Sequence, residues 1–288
     1  MPSIGFIGAG QLGEPMVKRL LAAGHPVTVY ARRPDVRSRL ADQGAAVAAS
    51  VADLAADSDI LISCLFSDAQ LRATGLGPEG FITNAKPGAV FVSHTTGTAA
   101  TLTELADSAA GAPAILDAPV SGTADHIAAG TLTVLVGGRG DDVERVRPIL
   151  AAYADPILAT GELGSALRIK LINNMLFAAN AQLLAAAAQV GEQLGIAPQA
   201  FLDALLVCSG SSSAAAYAKG IGGLGRFSEA AAPFLAKDVA AAIAAAEQAG
   251  VDLGLLQAVV TEGPLDLAAT VRAGGPPATG LPSAGNTP

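Results

Sequence analysis

Apolar residues follow two different patterns along this chain. In the first half, short runs rich in Val, Ile, Leu and Phe alternate with helical patterns. The runs predict strands at residues 3–7, 26–30, 60–65, 89–93, 114–116 and 132–136. Helices are expected near 11–23, 35–42, 51–56, 68–73 and 98–109. Strand–helix alternation implies an α/β fold, a doubly wound parallel sheet with helices on both faces. Residues 59–65 are apolar almost throughout, as in a strand buried on both sides.

After about residue 160 the strand signals stop. A long interdomain helix is expected from roughly 162 to 194, spanning about 50 Å at 1.5 Å per residue. It is apolar all round, so burial on most sides is expected. Gly195 and Pro198 end it in the usual order. Further helices near 199–207, 212–219, 229–250 and 253–272 make the second domain all-α. The expected domains are 1–161 and 162–273, with 274–288 a disordered tail of Gly, Pro, Ser, Thr and Asn.

Hydrophobic residues make up 51% of the chain and aromatics only 4%, with no Trp, so the core must rest on Ala, Leu, Val and Ile. The net charge of −8, from 17 basic and 25 acidic residues, comes without a basic stripe, which argues against a nucleic-acid partner. An anionic ligand would need a local positive site. Cys64 and Cys208 lie far apart, and His25, His94 and His126 have no ligand spacing, so neither a disulfide framework nor a metal is predicted. No signal peptide is read at the N-terminus. The apolar stretches are interrupted by Lys, Asn, Gln or Glu too often for a membrane span. The expected location is the cytoplasm.

Gly8-Ala9-Gly10-Gln11-Leu12-Gly13 matches GxGxxG. The pattern is weak alone, but here it follows a predicted strand and opens a predicted helix. In that setting Gly8 permits the tight turn, Gly10 admits a pyrophosphate and Gly13 lets helix and strand approach. Free N–H groups at the helix start then face the phosphates. An acidic residue ending the second strand would bind a ribose 2′-hydroxyl, but Tyr30-Ala31-Arg32-Arg33 stands there and Asp35 comes later. Arg32 and Arg33 can fork onto a 2′-phosphate, so NADP is favoured, NADPH over NADH. Leu65 and Phe66, at the end of the 60–65 run, are further cofactor candidates.

Four segments in order resemble the β-hydroxyacid dehydrogenase family. They are residues 4–16, Asp117-Ala118-Pro119-Val120-Ser121-Gly122, Gly161-Glu162-Leu163-Gly164 with Lys170-Leu171-Ile172-Asn173-Asn174, and Phe234-Leu235-Ala236-Lys237-Asp238. The resemblance runs to about residue 265. It implies a Rossmann domain, a helical domain joined by a long helix, an active site between them, and a homodimer or homotetramer built on the helical domain.

It also implies roles. Lys170 is the proton donor and acceptor, and Asn174, one turn later, orients the reacting group. Desolvation among Ile169, Leu171 and Ile172 would lower the lysine pKa. Ser121, Gly122 and Thr123 are substrate-binding candidates in a turn at the carboxyl edge of the sheet, where backbone N–H groups and a hydroxyl can hold a carboxylate. Thr95 is placed near the cofactor, Thr96 near the substrate, and Lys237 reaches the cofactor. Thr123 and His126 stand where the family has glycine, and Ile127 where it has alanine, so the pocket is expected to be reshaped. The expected reaction interconverts a small hydroxy acid and its aldehyde- or keto-acid. The alternatives are an imine reductase, which usually carries Asp or Tyr at the Lys170 position, and a non-catalytic cofactor-binding protein.

Overall fold

The computed structural model describes residues 1–267. The expected tail at 274–288 lies outside the described residues. The chain divides into two compact units, Met1–Lys170 and Leu171–Pro288, so Lys170 closes the first.

The first unit alternates strands and helices. In chain order these are β1 (Ile4–Ile7), α1 (Gly13–Ala22), β2 (Val27–Tyr30), α2 (Pro34–Asp42), β3 (Ala46–Val47), α3 (Val51–Asp57), β4 (Ile60–Ser63), α4 (Asp68–Gly75) and α5 (Phe81–Asn84). Then come β5 (Val90–Ser93), α6 (Ala99–Asp107), β6 (Ala114–Asp117), β7 (Val120–Ser121), α7 (Ala124–Ala129), β8 (Leu132–Gly137), α8 (Gly140–Leu150) and β9 (Ala154–Gly161). The sheet order is β3-β2-β1-β4-β5-β6-β8-β7, with β9 on β8. From β3 to β6 every pairing is parallel. The expected parallel sheet is extended at one side by β8, which runs antiparallel to β6 and β7 and parallel to β9.

Successive side chains of a strand point to opposite faces, which sorts the core into two layers. Phe6, Ile62 and Val92 pack with Met16 and Leu20 of α1, Val36 of α2 and Val146 of α8. Ile7, Leu61 and Phe91 pack with Leu54 of α3, Phe81 of α5 and Leu102 of α6. The chain winds outward in both directions from β1 and β4, so a crevice opens where their carboxyl ends part, the usual ligand site of such sheets.

The long helix α9 (Ser165–Gln193) carries the chain into the second unit, where α10 (Pro198–Val207), α11 (Ser213–Gly220), α12 (Leu224–Ala249) and α13 (Leu255–Glu262) follow. Gly263 and Pro264 close α13 well short of residue 272. Leu171, Met175, Ala178 and Leu184 of α9 meet Leu202, Ala214, Ala218, Phe227, Val239 and Val260. Small side chains let these helices approach closely. Gln182, buried in α9, donates to the carbonyls of Val260 and Leu265 and accepts the Leu265 amide at 2.7 Å. This clamps the segment after α13 without leaving a buried polar group unpaired.

The expected burial of α9 on most sides is not met. Ile169, Ile172, Leu176, Leu183 and Val190 are exposed, Ile172 by 58%. At 100° per residue they form one narrow stripe. By length and composition α9 could cross a membrane, with mean hydropathy 1.3 in its most apolar stretch, but half of that stretch is buried inside the protein.

Candidate active site

The glycine-rich turn joins β1 to α1. Gly8 has φ +92°, and a Cβ there would lie 2.5 Å from the Cys64 carbonyl oxygen. A Cβ on Gly13 would strike the Gly8 carbonyl at 2.1 Å, so strand and helix can close up only without one. Beside Gly10 there is nothing within 4 Å of a Cβ position. Two glycines are thus required by packing, and the third faces open space where a pyrophosphate fits. The α1 ladder begins as Glu14 donates to Gly10 and Met16 to Leu12. The amides of Gln11 and Leu12 donate to no backbone carbonyl among the described residues, which suits phosphate oxygens. Under the turn, burial pushes the Cys64 thiol up to about 12, leaving it un-ionised.

A cavity of about 240 Å³ runs from this turn along Tyr30, Arg32, Arg33, Leu65 and Phe66 to Gln70 and Thr74. A neighbouring one of about 430 Å³ shares Tyr30, Arg32, Leu65, Gln70 and Thr74. Arg32 and Arg33 are exposed at its mouth. Asp35, the acid nearest the end of β2, lies in the first turn of α2 with its carboxylate on Arg39 at 3.0 Å. Arg39 holds that carboxylate below its ordinary pKa and also grips Glu14. The Phe66 amide donates to the Gln70 side-chain oxygen at 3.0 Å, which fixes the edge of the cavity.

The carboxyl ends of β4 and β5 carry buried hydroxyls. Ser63 and Ser93 are register partners. Their oxygens and that of Thr95 have no hydrogen-bond partner among the described residues. Thr96 is half-buried. Between Ser93 and Thr95 sits buried His94, whose Nδ1 lies 2.6 Å from the Ala118 carbonyl and whose Nε2 lies 2.8 Å from the Tyr153 hydroxyl. A carbonyl can only accept, so Nδ1 carries the proton and Nε2 accepts from Tyr153. Burial lowers the imidazole pKa to about 4 and raises that of the Tyr153 phenol. This neutral pair ties the loop at Thr95-Thr96 to Ala118, in the next segment.

That segment runs from Asp117 to His126. Asp117 is fully buried, and its carboxylate accepts the amides of Gly164 at 2.7 Å and Leu167 at 2.8 Å. A buried anion thereby meets the positive end of α9. A Cβ on Gly137 would lie 2.3 Å from the Asp117 oxygen, so a glycine is needed opposite. Ser121 belongs to the short strand β7 rather than to a turn, because Val120 and Ser121 pair with β8. The turn itself is Gly122, at φ +139°. Thr123 gives its N–H to the Nδ1 of His126 at 3.1 Å, the reciprocal arrangement of a capping box. Ile127, on the inner face of α7, is fully buried.

On α9, Lys170 is half-buried. Its neighbours do not give the dry setting expected of them: Leu171 faces the core, but Ile169 and Ile172 are exposed. In the second unit, buried Asn174 donates to the Asp238 carboxylate at 2.9 Å and its oxygen accepts from Asn173. The pair joins α9 to the Lys237-Asp238 motif on α12, where Lys237 is half-buried.

Residues 3–161 match the model of the NAD binding domain of 6-phosphogluconate dehydrogenase. Residues 164–270 match that of the NAD-binding domain of NADP-dependent 3-hydroxyisobutyrate dehydrogenase. The chain belongs to the β-hydroxyacid dehydrogenase family. Members of this family are NAD(P)-dependent oxidoreductases, and the chain carries their nicotinamide-dinucleotide-binding domain. It is 32% identical to human mitochondrial 3-hydroxyisobutyrate dehydrogenase over 208 residues, 72% of this chain and 62% of that protein. The aligned part thus spans less than two thirds of that relative. The fold is similar to that of Mycobacterium tuberculosis 3-hydroxyisobutyrate dehydrogenase with L-serine, at TM-score 0.80 and 27% identity over 95% of this chain and 99% of that one. An imine reductase from Myxococcus stipitatus with NAD+ shares the fold alone, at TM-score 0.60 and 21% identity over 95% of each chain.

For a β-hydroxyacid dehydrogenase, the structure gathers the glycine turn, Arg32, Arg33, Leu65 and Phe66 about one crevice of the first unit. Thr95, Thr96, Ser121 and Lys170 lie in the same unit. Three residues that make long-range ties escaped the sequence reading of the site, Asp117 and Tyr153 in the first unit and Asp238 in the second. Asp117 and Asp238 stand inside motifs recognised for their neighbours, and nothing in their spacing points to Gly164 or Asn174. Tyr153 lies 59 residues from His94, in a segment with no motif of its own.

Proposed function

We propose that this β-hydroxyacid dehydrogenase is an NADP-dependent enzyme interconverting a small hydroxy acid and its aldehyde- or keto-acid, with Lys170 exchanging the proton. The nicotinamide, when bound, supplies or takes up the hydride. The observation that carries the reading is the Asp117 cap. The acid-binding segment and the first turn of α9, three residues before Lys170, are held together by two amide-to-carboxylate bonds. A proton-transfer group must be positioned before its pKa matters, and this contact fixes the turn that leads to it.

In this reading Ser121 and Gly122 hold the substrate's acidic end, and Thr96 also binds substrate. Lys170 protonates the carbonyl oxygen in reduction and takes the hydroxyl proton in oxidation. Thr95 faces the cofactor, and within the second unit Asn174 is anchored on Asp238. Arg32 and Arg33 take the 2′-phosphate, favoured because Asp35 is already engaged by Arg39. The apolar stripe on α9 is covered by a second copy of the chain, which gives a dimer or tetramer through the helical unit. Imine reduction is the second reading, supported by the engagement of the Thr123 amide, which leaves fewer donors for an acid. A steady-state screen decides between them. Glyoxylate, succinic semialdehyde, tartronate semialdehyde and several cyclic imines are each offered with NADPH and with NADH, and 3-hydroxyisobutyrate with NADP+ and with NAD+. Turnover of acids with NADPH supports the reading. Turnover of imines alone, or preference for NADH, counts against it.

A further inference from the structure

The capping pair in the acid-binding segment has a consequence for selectivity. A backbone N–H beside Gly122 is a natural donor to an anion. Here Thr123 directs it to His126 Nδ1 at 3.1 Å, and the Thr123 hydroxyl lies 3.0 Å from the same nitrogen. An N–H can only donate, so Nδ1 carries no proton and the neutral ring bears it on Nε2. The ring also covers the turn: a Cβ on Gly122 would meet His126 Cβ and Cγ at 3.2 Å. An incoming carboxylate finds this amide already paired, and must break that bond to use it.

We propose that His126 is a specificity-determining residue that withholds the Thr123 amide from anionic substrates. This biases the segment against compact carboxylates and toward larger or less charged ends. The proposal rests on the reading of residues 121–123 as substrate-binding. At the third helical position glutamine also accepts from the capping residue's N–H. His126→Gln therefore keeps the amide engaged, whereas His126→Ala releases it.

The test measures KM and kcat for glyoxylate, succinic semialdehyde and uncharged propanal, with NADPH, in the wild type and both variants. In His126→Ala the KM for the two acids is expected to fall about tenfold relative to propanal, roughly the worth of one hydrogen bond to a charged group. The effect falls on KM rather than kcat, and His126→Gln behaves as the wild type. An unchanged or raised acid KM in His126→Ala, or a glutamine variant that mimics alanine, overturns the proposal. If the wild type turns over neither acid, the reading of the substrate fails on its own. The dissociation constant of malonate from the NADP-loaded protein then decides for His126. Tighter binding in His126→Ala than in the wild type supports the withheld amide, and equal or weaker binding refutes it.

Discussion

The Asp117 carboxylate accepts the Leu167 amide at 2.8 Å across 50 residues of sequence, with no solvent at hand to replace it. Its other oxygen serves Gly164. Asparagine in its place can accept one of these amides but turns an N–H₂ toward the other. Asp117→Asn should therefore lose about 2–4 kcal/mol of stability, the range for unpairing buried polar groups. Urea unfolding of the variant measures this. Loss below about 0.5 kcal/mol would mean that the contact does not hold the start of α9.

His94 makes stability pH-dependent. In the unfolded chain its imidazole takes up a proton near 6.5, and in the folded protein only near 4. Between these values the unfolded state binds more protons, so stability is fully present above about pH 6.5 and falls as the pH drops toward 4. At about 1.4 kcal/mol per pH unit, the loss is at most roughly 3 kcal/mol. Denaturant melts of the wild type and His94→Asn from pH 4 to 7 check this. The variant should lose that part of the slope, and parallel curves would remove His94 as its source.

Arg32 and Arg33 should separate the two cofactors. Replacing both with Ala is expected to raise the KM for NADPH at least about tenfold, through lost charge-assisted bonds. The KM for NADH should change little. Equal losses with both cofactors would place the arginines on a part of the dinucleotide that NADH shares.

The sequence made the central sheet and the cofactor turn legible because both rest on local pattern. Continuous apolar runs mark β1, β4 and β5, and Gly8 and Gly13 of the turn each meet a constraint within a few residues or one strand away. The edges were harder to read. Strand β3 is two exposed residues. Strand β9 is exposed along most of its length and carries Pro156, so no alternation marks it. Helix α8 carries Pro148 and several charges, which dilute its apolar face. The exposure of the stripe on α9 escapes the sequence because composition cannot tell an apolar side that packs in the chain's own core from one that does not. The ties of Asp117, His94 and Asn174 were invisible for a different reason. Each joins residues that only the fold brings together.

The central claim is tested most directly by Lys170→Ala. Turnover of the best substrate from the screen is measured beside the dissociation constant for NADPH. The account predicts a fall in kcat of about a hundredfold or more, the usual share of a general acid–base group, with NADPH binding within a few-fold of the wild type. A variant that binds NADPH normally and retains full kcat would contradict it.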